Sequence, residues 1–256
     1  MTFDLTLAAY GFVVGLLVGL TGMGGGVLMT PLLMLGLGMP ATAAVGTDLL
    51  YSLVTKLAGS WQHWRQRTVD MQLVRTLAIG SIPASVVAVG IVAWLEHASV
   101  SGFETGLARA IGGALVVAAA LLGWRALAGE STHPQVAAHR RPAIIAVGAL
   151  GGLLVGLTSV GSGSVIMALL VFFVPLDTRR LVGSDVVHAA LLVGVAAAGH
   201  ALLGNVDVLL AAQLLVGSIP GVLIGSRLTL RAPRRILQAA LAALLILSGL
   251  RLLLRP

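Results

Sequence analysis

Cysteine is absent from this sequence and charge is scarce: nine acids and sixteen bases, only one of them a lysine, are spread over 256 residues. Without cysteine there is no disulfide framework and no thiolate metal site. Soluble domains carry about 25% charged residues because their surface faces water. At 10% charged and 58% hydrophobic, this chain lacks the polar residues to cover a soluble particle of its size. Also missing are an HExxH pattern, a paired-carboxylate motif, a nucleophile beside an evident base and a nucleotide-binding motif. The chain therefore reads as a non-enzyme with no metal and no cofactor, and not as an ATPase. Residues 1–10 hold no basic stretch, so a cleavable signal peptide is not expected. The net charge of +7 comes almost wholly from arginines set between apolar runs. That is how loop charges orient a membrane protein, so nucleic acid is not expected as a partner.

What the chain does have is apolar length. Runs long enough to cross a bilayer as helices recur throughout, and mean hydropathy is +1.03. They lie at 5–37, 41–61, 73–95, 107–127, 143–175, 181–203, 208–228 and 236–254, with a polar linker at 129–142. Helices are expected because backbone groups in lipid must pair internally, and the alternation of a membrane barrel is absent. The first and fifth runs are broken by glycine clusters, at Gly22–Gly26 and at 159–164.

The two halves repeat. GLLVGLTGMGGG from Gly15 matches GLLVGLTSVGSG from Gly152, an offset of 137 residues. The same offset carries Asp48 onto Asp185, His63 onto His200, Asp70 onto Asp207 and Pro83 onto Pro220 without a gap. The expected organisation is a first repeat at 1–128, a cytoplasmic linker at 129–142 and a second repeat at 143–256. Arginines decide the relative orientation. If each broken run crosses the membrane once, eight arginines face one side and seven the other. If each broken run enters and leaves on one side, twelve share a side and only Arg109, Arg251 and Arg255 lie opposite. The positive-inside rule favours the second arrangement. The fold class is thus an all-α integral membrane protein of two inverted repeats. Each repeat has a glycine-broken segment, re-entrant or a short hairpin, followed by three transmembrane helices. In such architectures the substrate site lies where the broken segments meet.

The glycine breaks are the first candidate site. Gly22, Gly24, Gly25, Gly26, Gly161 and Gly163 allow backbone N–H groups to turn away from a helix and bind an anion, helped by the positive end of the following helix. Thr21, Thr158, Ser159, Ser162 and Ser164 add hydroxyls. The competing explanation is close helix packing through small residues. Asp48 and Asp185 are ionisable groups inside apolar runs, costly there and usually functional; otherwise they are caps or brace a partner helix. On a helix Asp48, Ser52, Thr55, Gly59 and Gln62 share a face, with Lys56 and His63 at its edges. Lys56, the single lysine, would offset substrate charge, and Asp48 is its expected partner through another helix, a water or the substrate. Its counterpart is Val193, so most of the polar work falls to the first half. The second-half face is poorer, with Asp185 and His188 leading into apolar residues. His63 and His200 are candidate proton shuttles, Pro83 and Pro220 candidate hinges, Asp70 and Asp207 expected helix caps. Trp61, Trp64 and Trp94 are expected interface anchors.

On these motifs (GLLVGLTGMGGGVLMTPLL, AVGTDLL, GLTSVGSG and VGSDVVH) the sequence resembles the sulfite exporter TauE/SafE family over nearly its whole length. The resemblance implies movement of sulfite, sulfonates or related organosulfur anions across the bacterial inner membrane by a multi-pass protein. It also departs from the family pattern at Asp48 and Asp185. The expected function is a proton-coupled secondary carrier whose partners are a small anion and the bilayer, with a homodimer as a further expected assembly. A passive anion channel and a non-transporting membrane assembly factor are the alternatives.

Overall fold

A computed structural model describes residues 4–21, 26–128, 141–163, 165–174, 176–228 and 234–254. Among these residues the chain is wholly helical, with no strand. The helices are α1 (Leu5–Thr21), α2 (Gly26–Gly36), α3 (Ala41–Arg65), α4 (Met71–His97), α5 (Phe103–Ala128), α6 (Arg141–Thr158), α7 (Val165–Phe173), α8 (Thr178–Leu202), α9 (Val208–Leu228) and α10 (Arg234–Leu253). Five of them, α4, α5, α6, α8 and α9, contain stretches long and apolar enough to cross a membrane. With that composition the chain is a multi-pass membrane protein. α3 is as long as α8 but carries Asp48, Lys56 and several hydroxyls, which lower its apolarity. At 11 and 9 residues, α2 and α7 are about 16 and 14 Å long, half a bilayer core. The run at 5–37 is therefore two helices, and so is the run at 143–175. The expected linker at 129–142 falls outside the described residues except for Arg141 and Pro142, which open α6.

Helix ends follow local chemistry. Asp70 accepts from the N–H groups of Gln72 and Leu73 at the head of α4, and Asp207 accepts from Leu210 N–H at the head of α9. Asp177 does the same for α8 through Arg180 N–H. The head of α3 opens after Pro40 and is satisfied from another helix. The Glu104 carboxylate of α5 accepts from the Thr42 hydroxyl at 2.6 Å and from Ala41 N–H.

The helices are held by backbone approach. In lipid, association rests on van der Waals packing through small residues. α1 and α9 run parallel, with Gly11, Gly15 and Gly19 set against the backbone of Leu214, Ser218 and Val222. In return Gly217, Gly221 and Gly225 meet Ala8, Phe12 and Leu16. α4 and α6 pack in the same way, Gly148 on Leu77, Gly152 on Ser81 and Gly80 on Ile145. A Cβ on Gly152 would sit 2.1 Å from the Ser81 carbonyl oxygen, so Gly152→Leu must force α6 from α4. We expect that variant to lose its monodisperse peak in fluorescence-detected size exclusion, whereas Gly90→Leu, with open space around it, keeps its peak.

α3 and α8 cross antiparallel. Gly46 lies against Asn205, Leu53 against Gly194, Gly59 against Val186 and Thr68 against Gly183. Many cross-contacts recur with both partners shifted by the 137-residue offset. Asp70 N–H donates to Ser184 Oγ at 2.8 Å, and Asp207 N–H donates to Thr47 Oγ1 at 3.0 Å. The bundle has two chemically distinct ends. Where α3 finishes and α8 begins lie Arg65, Arg67, Arg75, Arg179 and Arg180, with Asp70 ion-paired to Arg180 at 3.2 Å. The opposite end holds Glu96, bonded to Asn205, together with Glu104, Asp207 and Arg109.

Candidate functional site

α1–α2 and α6–α7 are each interrupted, and the interruptions meet. Gly26, the first residue of α2, abuts Ser159, the first residue after α6. A Cβ on Gly26 would be 2.9 Å from the Ser159 carbonyl oxygen, 3.3 Å from its hydroxyl and 3.4 Å from the Ser52 hydroxyl of α3. The second break turns through left-handed backbone at Ser159 (φ 58°), Gly161 (φ 122°) and Gly163 (φ 98°). Glycine adopts this region freely, whereas serine does so at a cost. Thr158 steadies the turn, donating to the Leu154 carbonyl at 2.6 Å and accepting from Val160 N–H at 3.2 Å. Its hydroxyl is therefore committed locally. Ser159 N–H is also spent, on the Val155 carbonyl. The N–H groups of Ser162 and Gly163 take no part in the hydrogen bonds among the described residues. Ser159 and Ser162 are buried. Gly22, Gly24, Gly25 and Ser164 lie outside the described residues, and of Thr21 only its place at the end of α1 is described.

Asp48 is wholly buried at this junction. One carboxylate oxygen accepts from the Thr30 hydroxyl of α2, the other from Ser52 at 3.2 Å, and the Ser159 side chain stands beside them. Two turns along α3 is Lys56, 7% exposed and without an ion pair among the described residues. Asp185 of α8 acts on its charge more strongly than Asp48 does. Asp48, the partner expected from sequence, acts on Lys56 together with Asp185, which the antiparallel crossing of α3 and α8 brings in. Asp185 itself is 4% exposed, its Oδ2 3.7 Å from where a side chain on Gly163 would begin. The arrangement is a buried lysine within the field of two buried carboxylates, Asp48 beside Ser159 and Asp185 beside Gly163, two residues of the second break.

The histidines separate. His63 is half-buried near the end of α3, seven residues beyond Lys56, where its Nδ1 pairs with the Thr68 hydroxyl at 2.9 Å. His200 is wholly buried and its Nε2–H donates to the Gly156 carbonyl at 2.9 Å, two residues before α6 ends. Pro83 and Pro220 lie inside α4 and α9, on their exposed faces. Each follows by two residues a serine that bridges to a facing helix. Ser81 pairs with His188 Nε2 at 2.7 Å, and Ser218 pairs with the Tyr51 hydroxyl. These bridges are equivalent under the 137-residue offset, and all four side chains are fully buried. His188 also feels the charge of Lys56. Tyr51 and Ser81 were missed in the sequence, because a lone aromatic or serine in an apolar run reads as core filling; only the offset, which places Tyr51 on His188 and Ser81 on Ser218, marks them.

Comparison with known proteins agrees with this architecture. The family described as sulfite exporter TauE/SafE matches residues 7–252. The chain is similar to the probable membrane transporter protein YjnA of Bacillus subtilis (strain 168), at 41% identity over 98% of this chain and 100% of that one. It is also similar to the probable membrane transporter protein YdhB of the same organism, at 27% identity over 94% and 97% of the two chains. No solved structure matches.

Proposed function

The chain belongs to the sulfite exporter TauE/SafE family, and from that premise we propose that it is a proton-coupled secondary carrier of a small sulfur oxyanion (sulfite, a sulfonate or a related organosulfur anion) in the bacterial inner membrane. The observation that carries the reading is the meeting of Gly26 with Ser159 beside Asp48. Broken helices meeting at mid-depth bring backbone donors and a helix N-terminus to one point, the donor set an oxyanion needs. Ser162 and the N–H groups of the second break hold the anion, and Lys56 offsets its charge. Asp48 and Asp185 hold the coupling proton or brace the breaks.

The halves act as inverted repeats in this proposal. Antiparallel packing of α3 on α8, which match under the offset, supports it. So does the segregation of Arg65, Arg67, Arg75, Arg179 and Arg180 to one end, which the positive-inside rule makes cytoplasmic. The closely packed pairs α1·α9 and α4·α6 each draw one helix from each half. Alternating access is then a rocking of these mixed pairs about α3 and α8, with Pro83 and Pro220 as hinges.

Proteoliposomes test the proposal. Uptake of labelled sulfite and a panel of small sulfonates is measured with and without an imposed pH gradient. Saturable uptake, accumulating against its own gradient when pH is imposed, is expected. Non-saturating flux that only dissipates gradients would replace the carrier with a channel, and no flux of any sulfur anion by folded protein would remove the substrate class.

A further inference from the structure

At the arginine-rich end, a cleft of about 440 Å³ opens between the close of α3 and the start of α4, lined by Trp64, Arg65, Arg67, Val69 and Met71. We propose that this cleft binds the headgroup of an acidic phospholipid. The inference rests on the membrane placement of the chain and not on the transport reading.

The first observation is unspent charge. Among the described residues the only ion pair is Arg180 with Asp70, so neither Arg65 nor Arg67 has an acid to neutralise it. Arg65 lies over the ring of Trp61, 4.9 Å from its centroid. That stacking fixes the guanidinium plane and leaves its edge donors for a phosphate, which an arginine fork can grip with two parallel hydrogen bonds. Trp61 and Trp64 are 63% and 59% exposed, as aromatics are at the headgroup level of a bilayer. Val69 and Met71 supply an apolar wall for the glycerol and the first acyl carbons.

The second observation is independent of charge. Arg67 adopts left-handed backbone, φ 54°, a conformation that costs any residue with a side chain. At the equivalent turn after α8 the chain places Gly204, φ 80°. There Trp61, Trp64 and Arg65 are replaced by Ala198, Ala201 and Leu202. The same turn is thus built with glycine where no cleft chemistry is present and with arginine where it is. The turn closes α3, with Thr68 N–H donating to the His63 carbonyl, and it carries the Arg67 side chain to the cleft. Arg75 and Arg179 at the same end add a positive field that draws anionic lipid to this leaflet.

The test uses the full-length protein, purified in detergent, with Arg67→Gly and Arg65→Gln. Melting temperature is followed on adding phosphatidylglycerol, phosphatidylcholine or soluble glycerol phosphate, and retained lipid is counted by native mass spectrometry. Wild type should rise in melting temperature with phosphatidylglycerol alone and retain it preferentially. Each variant should weaken that retention about fivefold, the worth of one arginine at an anionic surface. Arg67→Gly should melt no lower than wild type without lipid, since glycine relieves the turn. An equal rise with phosphatidylcholine, a rise with glycerol phosphate, or undiminished retention by both variants would overturn the proposal.

Discussion

Replacing Lys56 with methionine should abolish measurable transport and also lower stability, and the two losses should separate in a double variant. Lys56 is 7% exposed and acted on by two buried carboxylates, Asp185 foremost. Lys56 makes no ion pair among the described residues, so deleting it costs less than breaking a buried pair, about 1–3 kcal/mol for the loss of its charge near the two carboxylates. For a protein of this size that is a fall in melting temperature of about 5 °C. Removing the opposite charge as well, in Lys56→Met with Asp185→Asn, should recover most of the stability. It should not recover transport, because the anion would still lack its counter-charge; one charged hydrogen bond is worth about 1.5–3 kcal/mol, or roughly 10- to 100-fold in affinity. Thermal melting and substrate-protection assays read the two effects apart. A single variant that melts like wild type would mean that Asp185 does not depend on Lys56, and a double variant that transports would remove Lys56 from the site.

Asp48→Asn should leave the fold intact and disconnect flux from the pH gradient. Asparagine keeps the shape of the side chain and an acceptor oxygen for one of the two hydroxyls, Thr30 or Ser52, while the other turns to accept from its amide NH2, but it no longer takes up and releases a proton. A gradient of one pH unit is worth about 1.4 kcal/mol per proton. Wild type coupled to one proton should therefore accumulate the anion about tenfold per unit, while the variant should only equilibrate it. Counterflow, which needs no gradient, should persist in the variant. Accumulation unchanged by the substitution would move the coupling role to Asp185.

The all-helical membrane class was legible because it rests on composition and run length, both properties of the sequence itself. The helix ends also followed where a local rule applied: Asp70 and Asp207 cap α4 and α9, as their placement before apolar runs implies. Illegible was whatever depends on a second helix. Glu104 satisfies the head of α3 from more than sixty residues away, and no local pattern announces it. Asp48 acts on Lys56 as their placement on one helix implies, but the part of Asp185 depends on the crossing of α3 with α8, which no local pattern announces. The glycines divided by position. Those inside α1, α6 and α9 serve close packing, while Gly26, Gly161 and Gly163 shape the breaks.

The pairing of α1 with α9 also bears on how the chain is made. Gly11, Gly15 and Gly19 have their seats on Leu214, Ser218 and Val222, roughly 200 residues downstream. At a synthesis rate of about 5–20 residues per second, α1 waits on the order of 10–40 s at the ribosome before its partner exists. During that interval its glycine edge faces lipid or an insertion chaperone, so the nascent first half is the stage at which quality control would act.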